Sequence, residues 1–321
     1  MTAAALTSMT AADAERSADR QAVYVLAQTE ARRHLKGVAL WFGVLGIALT
    51  GLSGRGGGWQ GEVYESFPLL FVPLAAATFL AGVRSGGRDR RTDLPCLAED
   101  APLDATARAT GRLLGMAPFV VATTLAVVAV EAGIRIEGGH WIGESPGRTD
   151  SAVHTIPELV QPIAFVALAA AAGIAAGRAF RRHGPIAVLG MIIGFMTWSV
   201  YWAFQFMPMA VFTLVQTAPI QEYAGPPGSD PDTFPADWLL ARPDEFTHVW
   251  LRVYVDQWLA AGHVVYLLGL AALCTAAAVR GSRGRRWLVA GLAVVAIGVI
   301  VQLAATGFAL TPGGTGPGQQ P

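Results

Sequence analysis

"LAAGHVVYLLGLAALCTAAAVRGSRGRRWLVAGLAVVAIGVIVQLAATGF", residues 259–308, contains two apolar blocks separated only by the basic "GSRGRR" of Gly281–Arg286. Neither block shows the one-sided stripe of a half-buried helix or the alternation of a strand. A helix needs about 20 mostly apolar residues to cross a hydrocarbon core of about 30 Å. The stretch therefore reads as two membrane-crossing helices joined by a basic hairpin, and it sets the fold class.

The same block pattern recurs along the chain. Spans are expected near 37–54, 67–84, 113–133, 158–178, 185–206, 259–280 and 287–308. The expected fold is an all-α polytopic bundle of about seven helices. Composition agrees: the 321 residues are 53% hydrophobic and 14% charged, with mean hydropathy +0.44, against roughly a quarter charged in a soluble domain.

Arginine placement orients the bundle, because Lys and Arg concentrate in cytoplasmic loops. Arg32, Arg33 and Lys36 precede the first span. Arg84, Arg88, Arg90, Arg91, Arg108 and Arg112 lie between the second and third. Arg178, Arg181 and Arg182 follow the fourth, and Arg280, Arg283, Arg285 and Arg286 follow the sixth. The N-terminus is expected in the cytosol and the C-terminus outside. Residues 1–36 form a cytosolic segment, in which Arg20–Lys36 reads as an interfacial helix turning Val23, Leu26, Ala27, Ala31 and Leu35 to the membrane. A polar insert, 85–112, is cytosolic; a long loop, 207–258, is external; and 309–321 is a flexible external tail. In the external loop "DEFTHVWLRVYVDQWL" reads as an amphipathic helix, with Phe246, Val249, Trp250, Val253 and Trp258 on one face.

Several function classes are disfavoured. Formal net charge is zero, which gives no case for nucleic acid. Cys96 and Cys274 make no disulfide framework, and no secretory signal opens the chain. His140, His154 and His248 lack metal-ligand spacing. No acid falls at a span centre: Glu131 and Glu158 sit near outer ends and Arg178 near an inner one, which argues against a proton-driven carrier. The only lysine, Lys36, lies in "HLKGV", so the phosphate-binding loop of an ATPase is missing. "GLSG", Gly51–Gly54, invites a rhomboid-like serine protease reading with Ser53 as nucleophile and His263 as base, but such a serine begins a helix and Ser53 ends one.

Other side chains suit a substrate path or simple packing. Trp198, Tyr201, Trp202 and Gln205 share one face of the fifth span, as a lining stripe or as an aromatic belt. His263, Tyr266 and Gln302 suit interhelical hydrogen bonds. Ala169, Gly173 and Gly177, with Gly190 and Gly194, suit close helix packing.

The helix carrying "TEARRHLKG" before the first span, and the insert carrying "TDLPCLAEDAP" between the second and third, resemble type-2 ABC-exporter permeases. So does "HVVYLLGLAALCTAAAVRG" with its basic hairpin, which is similar to permease subunits common in actinobacteria. That resemblance implies a bacterial plasma-membrane protein that binds no cofactor itself, with ATP and Mg on a separate cytosolic ATP-binding subunit. It implies pairing as a homodimer or with a similar chain. It also implies a coupling segment, with Asp93, Leu94, Pro95 and Leu97 matching its first part and Arg108, Arg112, Leu113 and Leu114 its second. The expected seven spans with an external C-terminus depart from the family's six with both termini inside: either one segment is re-entrant or the chain is a divergent branch.

The residues support a coupling segment in their own right. Asp104 is an N-cap for a helix running unbroken into Leu114, and Pro95 and Pro102 set turns before it. Leu94 and Leu97 offer apolar anchors for a partner's groove; the plainer reading of the insert is a solvated, arginine-rich loop that only fixes topology. Arg91, Asp93, Leu94, Pro95, Leu97, Asp104, Arg108 and Arg112 are therefore the expected ATPase-contacting residues. Trp198, Tyr201, Trp202, Gln205, His263 and Gln302 form the candidate substrate path; no catalytic or metal site is expected. The alternative is a membrane scaffold whose external loop binds a partner.

Overall fold

The computed structural model describes residues 20–53, 67–88, 104–136, 153–180, 185–186, 190, 192–194, 211–215, 220–243, 245, 248–279 and 281–306. Helix α1 covers 20–35, and a bonded turn at Lys36 and Gly37 leads into α2, Val38–Ser53. A 3-10 turn, Phe67–Phe71, opens α3, Val72–Gly86. Then come α4, Ala105–Gly115, α5, Ala117–Ile136, and α6, Ile156–Ala179. Strands β1, Ile220–Gly225, β2, Leu239–Ala241, and β3, Trp250–Tyr254, precede α7, Gln257–Val279, and α8, Gly281–Ala305.

Five helices are long and apolar enough to cross a membrane: Phe67–Gly86, Ala105–Ile136, Ile156–Ala179, Gln257–Val279 and Gly281–Ala305. Helix α2 is apolar but has 16 residues, about 24 Å at 1.5 Å per residue, short of the hydrocarbon thickness if it stands alone. Most of the segment expected to cross at 185–206 lies outside the described residues.

The bundle is built on glycine contacts and two apolar clusters. Phe67, Phe71, Leu74, Met116, Phe119, Val166 and Ile174 are fully or almost fully buried where α3, α5 and α6 meet. Leu168 of α6 packs with Val264 and Leu267 of α7. Helices α3 and α6 close on each other through Gly82, Gly86, Gly173 and Gly177, and α7 and α8 through Gly262, Gly269, Gly291 and Gly298. Gly194, by contrast, has nothing within 4 Å of where a Cβ would be. The outward faces of α5 and α8 stay apolar and open, with Val121, Leu125, Leu292, Ile297 and Ile300 exposed.

Most of the described basic residues gather at one end. Arg88 reaches α1, the Arg178 guanidinium donates to the Ala105 carbonyl, and Thr106 of α4 donates to Val279 at the end of α7. Arg283, Arg285 and Arg286 of α8 follow directly. The sheet lies at the other end, where β3 runs into α7.

The structure corrects three expectations. First, "DEFTHVWLRVYVDQWL" does not form an amphipathic helix. Trp250–Tyr254 is the central strand of an antiparallel sheet of order β1-β3-β2, with Glu222 opposite Arg252 and Leu239 opposite Val253. Its aromatic and β-branched residues suit a pleated surface, and the two flanking strands decide between periods that so short a run leaves ambiguous. Second, "GSRGRR" is not a loop between helices but the opening turns of α8. Gly281 takes φ +67°, the left-handed conformation that lets one helix end and the next begin at once. Third, the apolar face of α1 turns inward: Ala27 is buried, while Leu35 is half exposed.

Candidate functional site

The insert's C-terminal root is helix α4. Asp104 caps it with φ −65° and ψ 165°, its carboxylate accepting from the Ala107 amide at 2.5 Å. The cap and the absence of proline to Gly115 let "ATARATGRLLG" run as one helix, with Arg112 in the last turn where the helix dipole favours a cation. The helix breaks at Met116 because Pro118 has no N–H to give the Leu114 carbonyl and its ring crowds that carbonyl. The chain turns instead through Met116 N–H to Leu113 and Phe119 N–H to Met116, at 3.1 and 3.0 Å, and continues as α5.

Three neighbours hold α4. Arg178 donates to Ala105 at 3.1 Å and Thr106 donates to Val279 at 3.3 Å. Helix α1 lies over Gly111 and Gly115: a Cβ at Gly111 would sit 2.8 Å from Leu26 Cδ2, and one at Gly115 would sit 2.5 Å from Glu30 Cβ.

Glu30 is the centre of a buried polar node. Its side chain is 1% exposed, and it accepts from Arg33 at 2.9 Å, from the Ser85 hydroxyl at 3.1 Å and from Arg88. Burying a carboxylate costs several kcal/mol, roughly, unless charge-assisted hydrogen bonds return it; here three donors do so. His34 sits on the next turn, its Nε2 at 4.0 Å from Glu30 and its ring edge-on to Phe119. The His34 imidazole is held below its usual range, chiefly by burial; Glu30 opposes that shift, and Arg88 and Arg33 reinforce it.

At the sheet end Glu131 pairs with Arg135 at 3.0 Å and His154 at 3.2 Å, while Glu158 caps α6 through Thr155. Among the described residues no group of three or more His, Cys, Asp or Glu side chains is placed to hold a metal ion.

Of the expected site residues, Asp104, Arg108 and Arg112 lie along α4, Arg112 on its buried face. Arg91, Asp93, Leu94, Pro95 and Leu97 lie outside the described residues, as do Trp198, Tyr201, Trp202 and Gln205. His263 and Gln302 meet between α7 and α8, Nδ1 to Oε1 at 3.3 Å, both fully buried. Ser53 is the last residue of α2. Sequence reasoning missed Glu30, Ser85 and Arg88. The available signal was an acid on the same arc of α1 as Val23 and Ala27, where an amphipathic helix carries apolar residues.

Comparison with protein-family models, curated proteins and solved structures finds no match to this chain.

Proposed function

We propose that the chain is a permease subunit of a bacterial plasma-membrane transporter, driven by a separate cytosolic ATPase that docks on the insert between α3 and α4. In this reading the arginine-rich end faces the cytosol, ATP and Mg stay on the partner, and two such chains pair to enclose the path. The observation that supports it is α4: a capped helix, gripped by α1, α6 and α7, that passes through a single turn into α5. A force on the insert would reach a membrane-crossing helix without slack. An ATPase can bias a two-state bundle only through such a differential contact.

Co-expression of the full chain with candidate ATPases, followed by purification, tests the reading. Wild type is expected to retain one ATPase, and Leu94→Asp/Leu97→Asp to lose it. Retention of no ATPase, or equal retention by the variant, overturns it.

A scaffold reading has its own support in the three-stranded sheet, which sits at the opposite end with Tyr223 exposed on an edge strand. Replacing 220–254 by a short linker separates the two. Loss of a bound partner with ATPase retention unchanged belongs to both roles together, and loss without any ATPase to the scaffold alone.

A further inference from the structure

We propose that α1 is a strap across both roots of the polar insert, binding them into one body and joining that body to α2. The N-terminal root is Arg88, which donates to Glu30 just past the end of α3, beside Ser85, whose hydroxyl donates to the same carboxylate at 3.1 Å. The C-terminal root is α4, where Leu26 covers Gly111 and Ala27 and Glu30 cover Gly115. A single residue thus touches both: the head of Glu30 holds the root at Arg88, and its Cβ rests on Gly115, where a side chain would leave 2.5 Å.

The strap is also tied to α2. Between them the Lys36 amide donates to Arg32 at 3.2 Å, the Gly37 amide to His34 at 3.0 Å, and the Trp41 indole to Leu35 at 2.9 Å. These bonds stiffen the elbow, so α1 cannot shift without carrying the start of α2. Lifting α1 would strip Glu30 of its interhelical donors, leave Arg88 without its carboxylate and uncover Gly111 and Gly115, so α1 leaves the first root only when the node breaks. The inference concerns the insert's mechanics and holds whichever partner docks there.

Amide hydrogen exchange on the purified full chain tests the strap, with Glu30→Ala and Arg88→Ala as variants. Exchange is expected to quicken about tenfold over 20–35 and over 105–115 together, with 257–305 unchanged. Quickening confined to 20–35 overturns the proposal, because α4 would then be held without α1. If Glu30→Ala does not fold, a Leu26→Cys/Gly111→Cys pair in a Cys96→Ala/Cys274→Ala background decides. A Cβ at Gly111 lies 3.2 Å from Leu26 Cβ, near the roughly 3.5–4.5 Å that a disulfide spans. The oxidised pair is expected to restore folding and α4 protection to Glu30→Ala; failure to restore them overturns the strap.

Discussion

Gly173 and Gly82 leave no room for a side chain between them: a Cβ on either would lie 3.1 Å from the other's Cα. One turn further, a Cβ at Gly177 would meet the Val83 carbonyl at 2.3 Å, and one at Gly86 the Ile174 carbonyl at 2.4 Å. The obstacles are backbone, which cannot rotate aside. In lipid, where apolar burial between helices drives little, such close approach is the main source of attraction. Gly173→Leu is expected to part α3 from α6 at a cost of about 1–3 kcal/mol or more. Gly194→Leu, with nothing within 4 Å, should melt with wild type. Thermal unfolding in detergent checks both, and equal melting of Gly173→Leu would show that the seam does not hold these helices.

His263 and Gln302 give a second test. Their hydrogen bond at 3.3 Å is a polar contact between α7 and α8 at a glycine crossing, where Gly262 lies against Gln302 and Gly298 against Tyr266. Gln302→Leu should destabilise by about 0.6 kcal/mol and at most about 1.7, the average and the upper value for interhelical hydrogen bonds in membranes. In a His263→Phe background the same change should cost less, because no partner is left unpaired. A double-mutant cycle measures the difference, and strict additivity would mean that the bond contributes nothing.

That pair was legible in the sequence, as were five of the apolar helices and the Asp104 cap, because each depends on residues close in sequence or on burial in lipid. A glutamine in an otherwise apolar helix announces a polar partner. The sheet was not legible: Trp250–Tyr254 is short enough to fit two periods, and its pairing with 220–225 is a long-range event. Glu30 was hidden for a related reason. Its place on the apolar arc of α1 marks an acid that needs partners, but only the fold brings Arg88 and Ser85 to that carboxylate.

His34 predicts a pH dependence. Its folded-state value lies below its ordinary 6.5, mainly through burial. As pH falls from 6.5 towards the lowered value, the unfolded chain therefore binds a proton that the native state does not. Stability contributed by neutral His34 is full above 6.5 and declines as pH drops beneath it. Thermal unfolding of wild type should show that decline, and His34→Phe should flatten it. A slope unchanged by the substitution would assign the effect to another group.

Arg252 anchors the sheet at the opposite end. Its guanidinium lies 4.6 Å from the centre of the Trp238 ring and 4.5 Å from that of Tyr254, with Glu222 as its cross-strand partner. Burial and Glu222 push the Tyr254 phenol above its usual range. Arg252→Ala removes both stacked contacts, each worth about 0.5–2 kcal/mol. Tryptophan fluorescence should change and proteolysis in 220–254 should speed up, while far-UV helicity stays constant. Loss of helicity as well would mean that the sheet supports the bundle rather than sitting on it.

Pro118 is the test of how α4 joins α5. Pro118→Ala restores an N–H that the Leu114 carbonyl can accept, and removes the ring that crowds it. The turn at Met116 should then convert to continuous helix, with slower amide exchange at 116–119. Met116 and Phe119 are anchored in the core, at 1% and 0% exposure, so any shift on closing the turn falls on α4 rather than α5. That movement draws Gly111 and Gly115 away from Leu26 and Glu30, and exchange over 20–35 should quicken in the same variant. Opposite changes at the two places would identify the proline as the cause of the turn and the turn as what lets α1 pack on α4. Unchanged exchange at 116–119 would mean that the packing of Met116 and Phe119 imposes the turn by itself.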